Sequence, residues 1–487
     1  MSRADQQNGQ AGQSAGRDLS RQATLEEAAF AIGAAIAGDG SVRFARVCTD
    51  SRKVAAGDLF FCLRGPTFDG HDFAAAVCAA GAAGVVCERG RGPSSSGDTA
   101  VLEVEDTLEA LGDLAAWTRD GFDGPLVGVT GSNGKTTTKE MLRAIFLAHF
   151  GEGRVLATQG NLNNLIGVPL TLFGLEPGHR AAVIEMGMNV PGEIARLVEI
   201  AAPTVGLITC VAEAHLEGLG SIEGVARAKG ELFEGLPEDA VAVVNADDAN
   251  VAAQSLRFGG RRLSFGEQAE VEAREVLCDR VDASSFELHR LGESVRVELP
   301  LPGRHNVQNA LGAAAAALAA GVPLGTVAVG LASMKPPPMR MSAERLANGV
   351  TLINDAYNAN PGSFGAALST LGGLPGRRIV VIGDMLELGP RSVELHRHAG
   401  IQAAAIKPAL LCAYGRFSGD VLEGALEGGL DESLAKVCAR HEDAAAEVAG
   451  AWLPGDAVLV KGSRGSAMEK VVEALRALAA EKAAAPE

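Results

Sequence analysis

Apolar and polar positions fall into three successive regimes along the chain. Up to about Thr118 the apolar runs are short and divided by polar turns. Residues 59–63 and 83–87 read as strands and 72–81 as a helix, with 93–98 as a surface loop. From Leu126 the pattern changes. Short apolar runs at 126–130, 181–186, 205–211 and 241–245 each precede a helical stretch. Runs of that kind predict a parallel sheet covered by crossover helices. Between Phe265 and Leu299 polar and apolar residues alternate, which predicts antiparallel strands. Lys335-Pro336-Pro337-Pro338 predicts a stiff extended linker, because each proline fixes its own φ and restrains the residue before it. Beyond it the strand–helix alternation restarts, with strands expected at 350–354, 378–383, 410–414 and 457–461. The expected class is α/β in three domains: a smaller α/β unit over 20–122, a central parallel-sheet unit over 123–334 and a doubly wound unit over 335–487. Residues 1–19 are expected to form a disordered tail. Met1 to Gly16 are rich in Gln, Gly, Ser and Ala and lack the apolar core of a signal peptide.

Composition agrees with three domains, since 487 residues suit units of roughly 150 each. Aromatics are only 4%, so the cores must rest on Ala, Val, Leu and Ile. The formal net charge of -17 would repel a polyanion over most of the surface, which argues against nucleic-acid binding. An anionic small substrate needs a local cationic pocket instead. The eight cysteines include no Cys-x-x-Cys pair and show no zinc or disulfide spacing, so they read as buried free thiols. The alanine-rich run 310–320 is too short and weakly apolar to span a bilayer. A cytoplasmic chain without membrane insertion is expected.

Chemistry enters after the run 126–130. Gly131-Ser132-Asn133-Gly134-Lys135-Thr136-Thr137 follows that strand and opens a helix. Glycines let backbone N–H groups turn inward around phosphate oxygens, and the helix N-terminus adds partial positive charge. Lys135 offers a full charge to a transferring phosphate, and Thr136 a hydroxyl to magnesium. The strict phosphate-loop pattern places a glycine where Val129 stands. Glu185 ends a buried run, where a carboxylate points at the ligand crevice of a doubly wound sheet. His215 follows the run 205–211, a position that suits a ligand and a structural histidine equally. By spacing alone, Lys229 reads as a helix-surface lysine.

Together these segments resemble the Mur ligases, the ATP-dependent amide-forming enzymes of peptidoglycan synthesis. The loop from Thr130 to Thr137, with its variant spacing, is similar to the family's phosphate loop, and Gly303-Arg304-His305-Asn306-Val307-Gln308-Asn309-Ala310 to its His-Asn-x-x-Asn segment. The resemblance implies a Rossmann-like third domain, ATP phosphates on Gly131 to Thr137, adenine at Asn309, and Asp355 as a further ATP contact. It implies Arg340 as the arginine that senses the terminal phosphate. It also implies that Lys229 is carbamoylated. Two magnesium ions would then be held, one by Thr136 and Glu185, the other by His215 and Lys229.

Within the family, three segments resemble the last-acting member, which joins D-alanyl-D-alanine to a UDP-linked tripeptide. They are the Asn-rich loop with Asn161, Asn163 and Asn164, the stretch Asn354-Asp355-Ala356-Tyr357-Asn358-Ala359-Asn360-Pro361, and Gly383-Asp384-Met385-Leu386-Glu387-Leu388-Gly389. The resemblance assigns Asn161, Asn163, Asn164, Tyr357, Asn358 and Asn360 to substrate. It assigns Asp50, Ser51, Arg52 and His71 to the uridine end. Lys135, Lys229, His215 and Arg340 would carry catalysis through an acyl phosphate, in an enzyme expected to be monomeric. The alternatives are the sister ligase that adds the third residue, a folate polyglutamate ligase, a nucleotide-hydrolysing binding switch and a non-catalytic structural protein.

Overall fold

The computed structural model describes residues 17–18, 21–93, 96–214 and 216–484, with 482–484 described by backbone alone. The tail expected over 1–19 lies almost wholly outside the described residues, and His215 lies outside them too.

Three sheets follow one another along the chain. The first has five strands in the order Ala35–Ala37, Ala100–Val104, Gly84–Glu88, Leu59–Phe61, Val47–Cys48. All pairs are parallel except the one made by Ala35–Ala37. The expected helix 72–81 opens as a 3₁₀ turn, Gly70–Phe73, and is α-helical over Ala74–Ala79.

The central sheet has nine strands, with Leu126–Thr130 between Val205–Ile208 and Ala181–Glu185. Alternate residues of each strand point to opposite faces. Val127, Val129, Val183 and Leu207 pack under the helices Lys135–Phe150 and Arg304–Ala319. Leu126, Ile184 and Ile208 pack under Glu193–Ala201 and Ile222–Glu234. Both faces are therefore covered, which is why these strands read as unbroken apolar runs. The alanine-rich run forms the buried part of Arg304–Ala319; Ala313 to Ala317 are fully buried. Val271–Leu277 joins Arg261–Phe265 parallel, and Ser284–Arg290 and Glu293–Leu299 then extend the sheet antiparallel, as the alternation predicts.

The third sheet runs Ser342–Arg345, Thr351–Asp355, Ala457–Lys461, Arg378–Ile382, Leu410–Tyr414, Ala435–Cys438. Only its first pair is antiparallel. Leu352, Val381 and Val458 face one helical layer, and Ile353, Val380 and Leu459 the other. Each such side chain contributes about 1.5–3 kcal/mol by leaving water. The second layer is continuous with the apolar cluster of the central sheet, so the two units share packed surface.

Candidate active site

The C-terminal ends of parallel strands leave an open crevice, and the central sheet builds its site there. Strand Leu126–Thr130 is buried throughout. It turns at Gly131 (φ +148°) and Gly134 (φ +83°). A Cβ at Gly131 would sit 1.8 Å from Thr209 Oγ1, and one at Gly134 would sit 2.2 Å from Asn309 Oδ1. No side chain fits either position. Helix Lys135–Phe150 then begins without a side-chain cap, so its first amides face the crevice unclaimed by a capping group. The loop is braced from behind. Ser132 N donates to Cys210 O at 2.8 Å, and Thr209 Oγ1 donates to Asn133 O at 2.5 Å. This bracing ends the strand expected over 205–211 early, at Ile208.

Lys135 Nζ donates to Gly131 O at 2.7 Å. Burial lowers its proton affinity, nearby Glu185 opposes that, and nearby Arg340 adds to it. Glu185 is 2% exposed, with both carboxylate oxygens engaged. Thr136 Oγ1 donates to one at 2.9 Å and Asn163 Nδ2 to the other at 2.9 Å. A buried carboxylate beside a hydroxyl at the phosphate loop is a hard-oxygen donor pair. Among the described residues no group of three or more His, Cys, Asp or Glu could hold a metal.

Lys229 is not a surface residue. It is 1% exposed, inside helix Ile222–Glu234. Burial, reinforced by Lys135, drives its proton affinity far below that of an ordinary lysine, opposed by Cys210. The helix turns this residue inward, which sequence spacing did not register.

The third sheet supplies the facing wall. Arg340 stacks on Tyr357, with its guanidinium carbon 4.0 Å from the ring centroid. Asn360 Nδ2 donates to Asn133 Oδ1 of the phosphate loop at 2.8 Å. Asp355 and Lys461 are register partners at the ends of adjacent parallel strands, and Lys461 Nζ also donates to Asn358 O at 3.0 Å. His305 meets Thr370 Oγ1 at 3.4 Å, and burial pushes its imidazole down to about 4. These groups enclose a cavity of about 580 Å³. It is lined by Ser132 to Thr137, Asn161, Asn163, Asn164, Glu185, Asn309, Arg340, Asp355, Tyr357, Asn358 and Asn360. Asn164 also caps the following turn, its Oδ1 accepting from Ile166 N and Gly167 N.

Asp50, Ser51, Arg52 and His71 lie elsewhere, in 3₁₀ turns of the first unit. Asp50, Ser51 and Arg52 follow strand Val47–Cys48, with Arg52 paired to Asp50. His71 is inside that unit. Its Nδ1 faces Asp69 Oδ1 at 2.6 Å and its Nε2 accepts from Glu88 N at 2.9 Å. Sequence reading passed over Lys461 and gave no role to His305, quoted only within its segment; both line the cavity. A lysine ending the apolar run 457–461 carries the same signal that marked Glu185.

Comparison with known proteins agrees with this arrangement. Residues 43–119 match the model for the Mur ligase family catalytic domain, 129–317 the Mur ligase middle domain and 339–464 the Mur ligase glutamate ligase domain. The chain is 41% identical to the UDP-N-acetylmuramoyl-tripeptide–D-alanyl-D-alanine ligase of Escherichia coli K12, covering 88% of this chain and 93% of that one. It superposes on a crystal structure of MurF from Acinetobacter baumannii with a TM-score of 0.86 and 33% identity, over 94% of this chain and 100% of the other. The MurF ligase of Thermotoga maritima in complex with ADP gives a TM-score of 0.80 at 29% identity, over 90% and 98%. With the variant phosphate loop, the asparagine-lined crevice and all three sheets accounted for, the chain belongs to the Mur ligase family.

Proposed function

We propose that this chain joins D-alanyl-D-alanine to UDP-N-acetylmuramoyl-tripeptide, consuming ATP, in peptidoglycan synthesis. The observation that carries the reading is one cavity walled by a phosphate loop and by the Asn-rich and Asp355–Asn360 segments, with Asn133 and Asn360 bridging two units. Two sources of support converge: the 41% identity to a ligase of that name, and the cavity's chemistry.

An amide does not form from a carboxylate in water without activation. The tripeptide's terminal carboxylate attacks the terminal phosphorus of ATP, giving an acyl phosphate and ADP. The dipeptide amine then attacks the acyl carbon, the C–N bond forms, and phosphate leaves as the amine loses its proton. Lys135, the loop amides and Arg340 meet the charge on the transferring phosphoryl group. Asn309 receives the adenine and Asp355 a further part of the nucleotide. Asn161, Asn163, Asn164, Tyr357, Asn358 and Asn360 orient the peptide substrates. Asp50, Ser51 and Arg52 receive the uridine end, with His71 shaping that edge from within.

Thr136 and Glu185 would hold one magnesium ion, and His215 with carbamoylated Lys229 a second. Bound there, magnesium supplies charge neutralisation to phosphate and carboxylate oxygens. A neutral, buried Lys229 amine is the form that adds carbon dioxide: the N–C bond forms, one proton is lost, and a neutral group becomes an anion. We take the enzyme to be cytoplasmic and monomeric; among the described residues no helix is long and apolar enough to cross a membrane.

The test is ADP release with each substrate omitted in turn. ADP and amide should appear together only when ATP, the UDP-linked tripeptide and the dipeptide are all present. Rapid ADP release without the dipeptide, and no amide with it, would sink the reading.

A further inference from the structure

Arg340 sits between two residues with left-handed backbone, Met339 (φ +57°) and Met341 (φ +52°). Neither is a glycine or an asparagine, so this turn persists only where its surroundings impose it. Three contacts do so. Tyr357 N donates to Met339 O at 3.1 Å. The Tyr357 ring carries the Arg340 guanidinium. Met341 N donates to Asp355 Oδ1 at 3.0 Å. The other oxygen of Asp355 is taken by Lys461 Nζ at 2.5 Å.

Lys461 is 2% exposed, and a buried lysine persists only when paired. Its pairing does more than neutralise Asp355. With Asn358 O as a second acceptor at 3.0 Å, it fixes the end of strand Thr351–Asp355 and the segment after it. We infer that Lys461 is a positioning residue for Arg340: it fixes Asp355, and Asp355, through the Met341 amide, keeps the left-handed turn that presents the guanidinium to the phosphate loop. Arg340 reaches that loop closely enough to depress the proton affinity of Lys135. The inference rests on the ligase reading above.

The test uses the full chain and four variants: Lys461→Met, Lys461→Gln, Arg340→Ala and the double variant Lys461→Met/Arg340→Ala. Each is checked for folding by thermal midpoint. With all three substrates saturating, Lys461→Met lowers kcat about 10- to 100-fold, the scale of a misplaced catalytic group. The KM for the UDP-linked tripeptide stays unchanged. In the Arg340→Ala background the same substitution lowers kcat less than about twofold, because residues acting as one unit are non-additive. Losses that multiply in the double variant overturn the inference, since Lys461 then acts without Arg340. Should Lys461→Met fail to fold, Lys461→Gln, which keeps one donor for Asp355, enters the same cycle with the same criterion. If the unaltered chain releases ADP without forming amide, the ligase reading fails separately, and the cycle is read on ADP release.

Discussion

Glu185 and Lys229 are both almost fully buried, yet the sequence announces only one of them. Glu185 ends a buried strand, and a strand's last residue has one place to point. Lys229 lies in mid-helix, where side-chain direction depends on which face the helix packs. Family resemblance implies a metal-supporting role for it; the fold shows its burial. Lys229→Ala should lower kcat at least about tenfold, the scale of losing a metal-supporting group. Millimolar formate or acetate should restore part of the rate by standing in for the lost carbamate. Equal rates with and without added carboxylate would remove Lys229 from the metal site. Lys461 escaped notice for another reason: its partner, Asp355, is 106 residues away in sequence, and only strand register brings the two together.

At the scale of elements, the phosphate loop and the long buried strands were legible because a doubly covered strand is apolar at every position. What stayed hidden were edge strands. Ser342–Arg345 and Ala35–Ala37 are short and half-buried or exposed, so no periodicity marks them. The strand Val205–Ile208 is shorter than its apolar run: Thr209 N still donates to Thr130 O, but its hydroxyl turns to brace Asn133. The loop's own geometry gives a prediction. Gly134→Ala must place a Cβ 2.2 Å from Asn309 Oδ1 at φ +83°, a backbone that costs about 1–2 kcal/mol for any L side chain. The KM for ATP should rise at least about tenfold, the equivalent of roughly 1.4 kcal/mol of lost binding. An unchanged KM for ATP would mean that Gly134 and Asn309 do not shape the nucleotide site.

At the scale of the molecule, the central and third units meet through side chains that no local pattern could pair. Arg391, just past the Gly383–Gly389 signature, forms an ion pair with Glu213, and Glu217 N approaches Glu387 O at 3.5 Å. The Gly383–Gly389 signature is therefore part of an interdomain contact. An exposed pair of this kind contributes about 0.2–1 kcal/mol. Arg391→Glu should raise ADP release in the absence of dipeptide, and Arg391→Glu/Glu213→Arg should return it towards the unaltered level. Failure of the double reversal would exclude the pair from control of ADP release. His305 adds a pH dependence at the same boundary. Its folded value of about 4 lies below the ordinary 6.5, through burial first, with Asp355 opposing and Lys461 adding. The unfolded chain therefore binds the extra proton first. Stability should be intact above about pH 6.5 and fall as pH drops towards 4, by up to roughly 3 kcal/mol. His305→Gln should flatten that slope in thermal melts; an unaltered slope would exclude His305 as its source.

The shared cavity has a pharmacological consequence. An inhibitor that touches both the phosphate loop and the Asp355–Asn360 wall spans two units, so its apparent affinity is the intrinsic one multiplied by the fraction of molecules in which both walls are in place. Resistance can then arise without altering a single contact of the drug, by substitutions at Arg391 or Glu213 that shift that fraction.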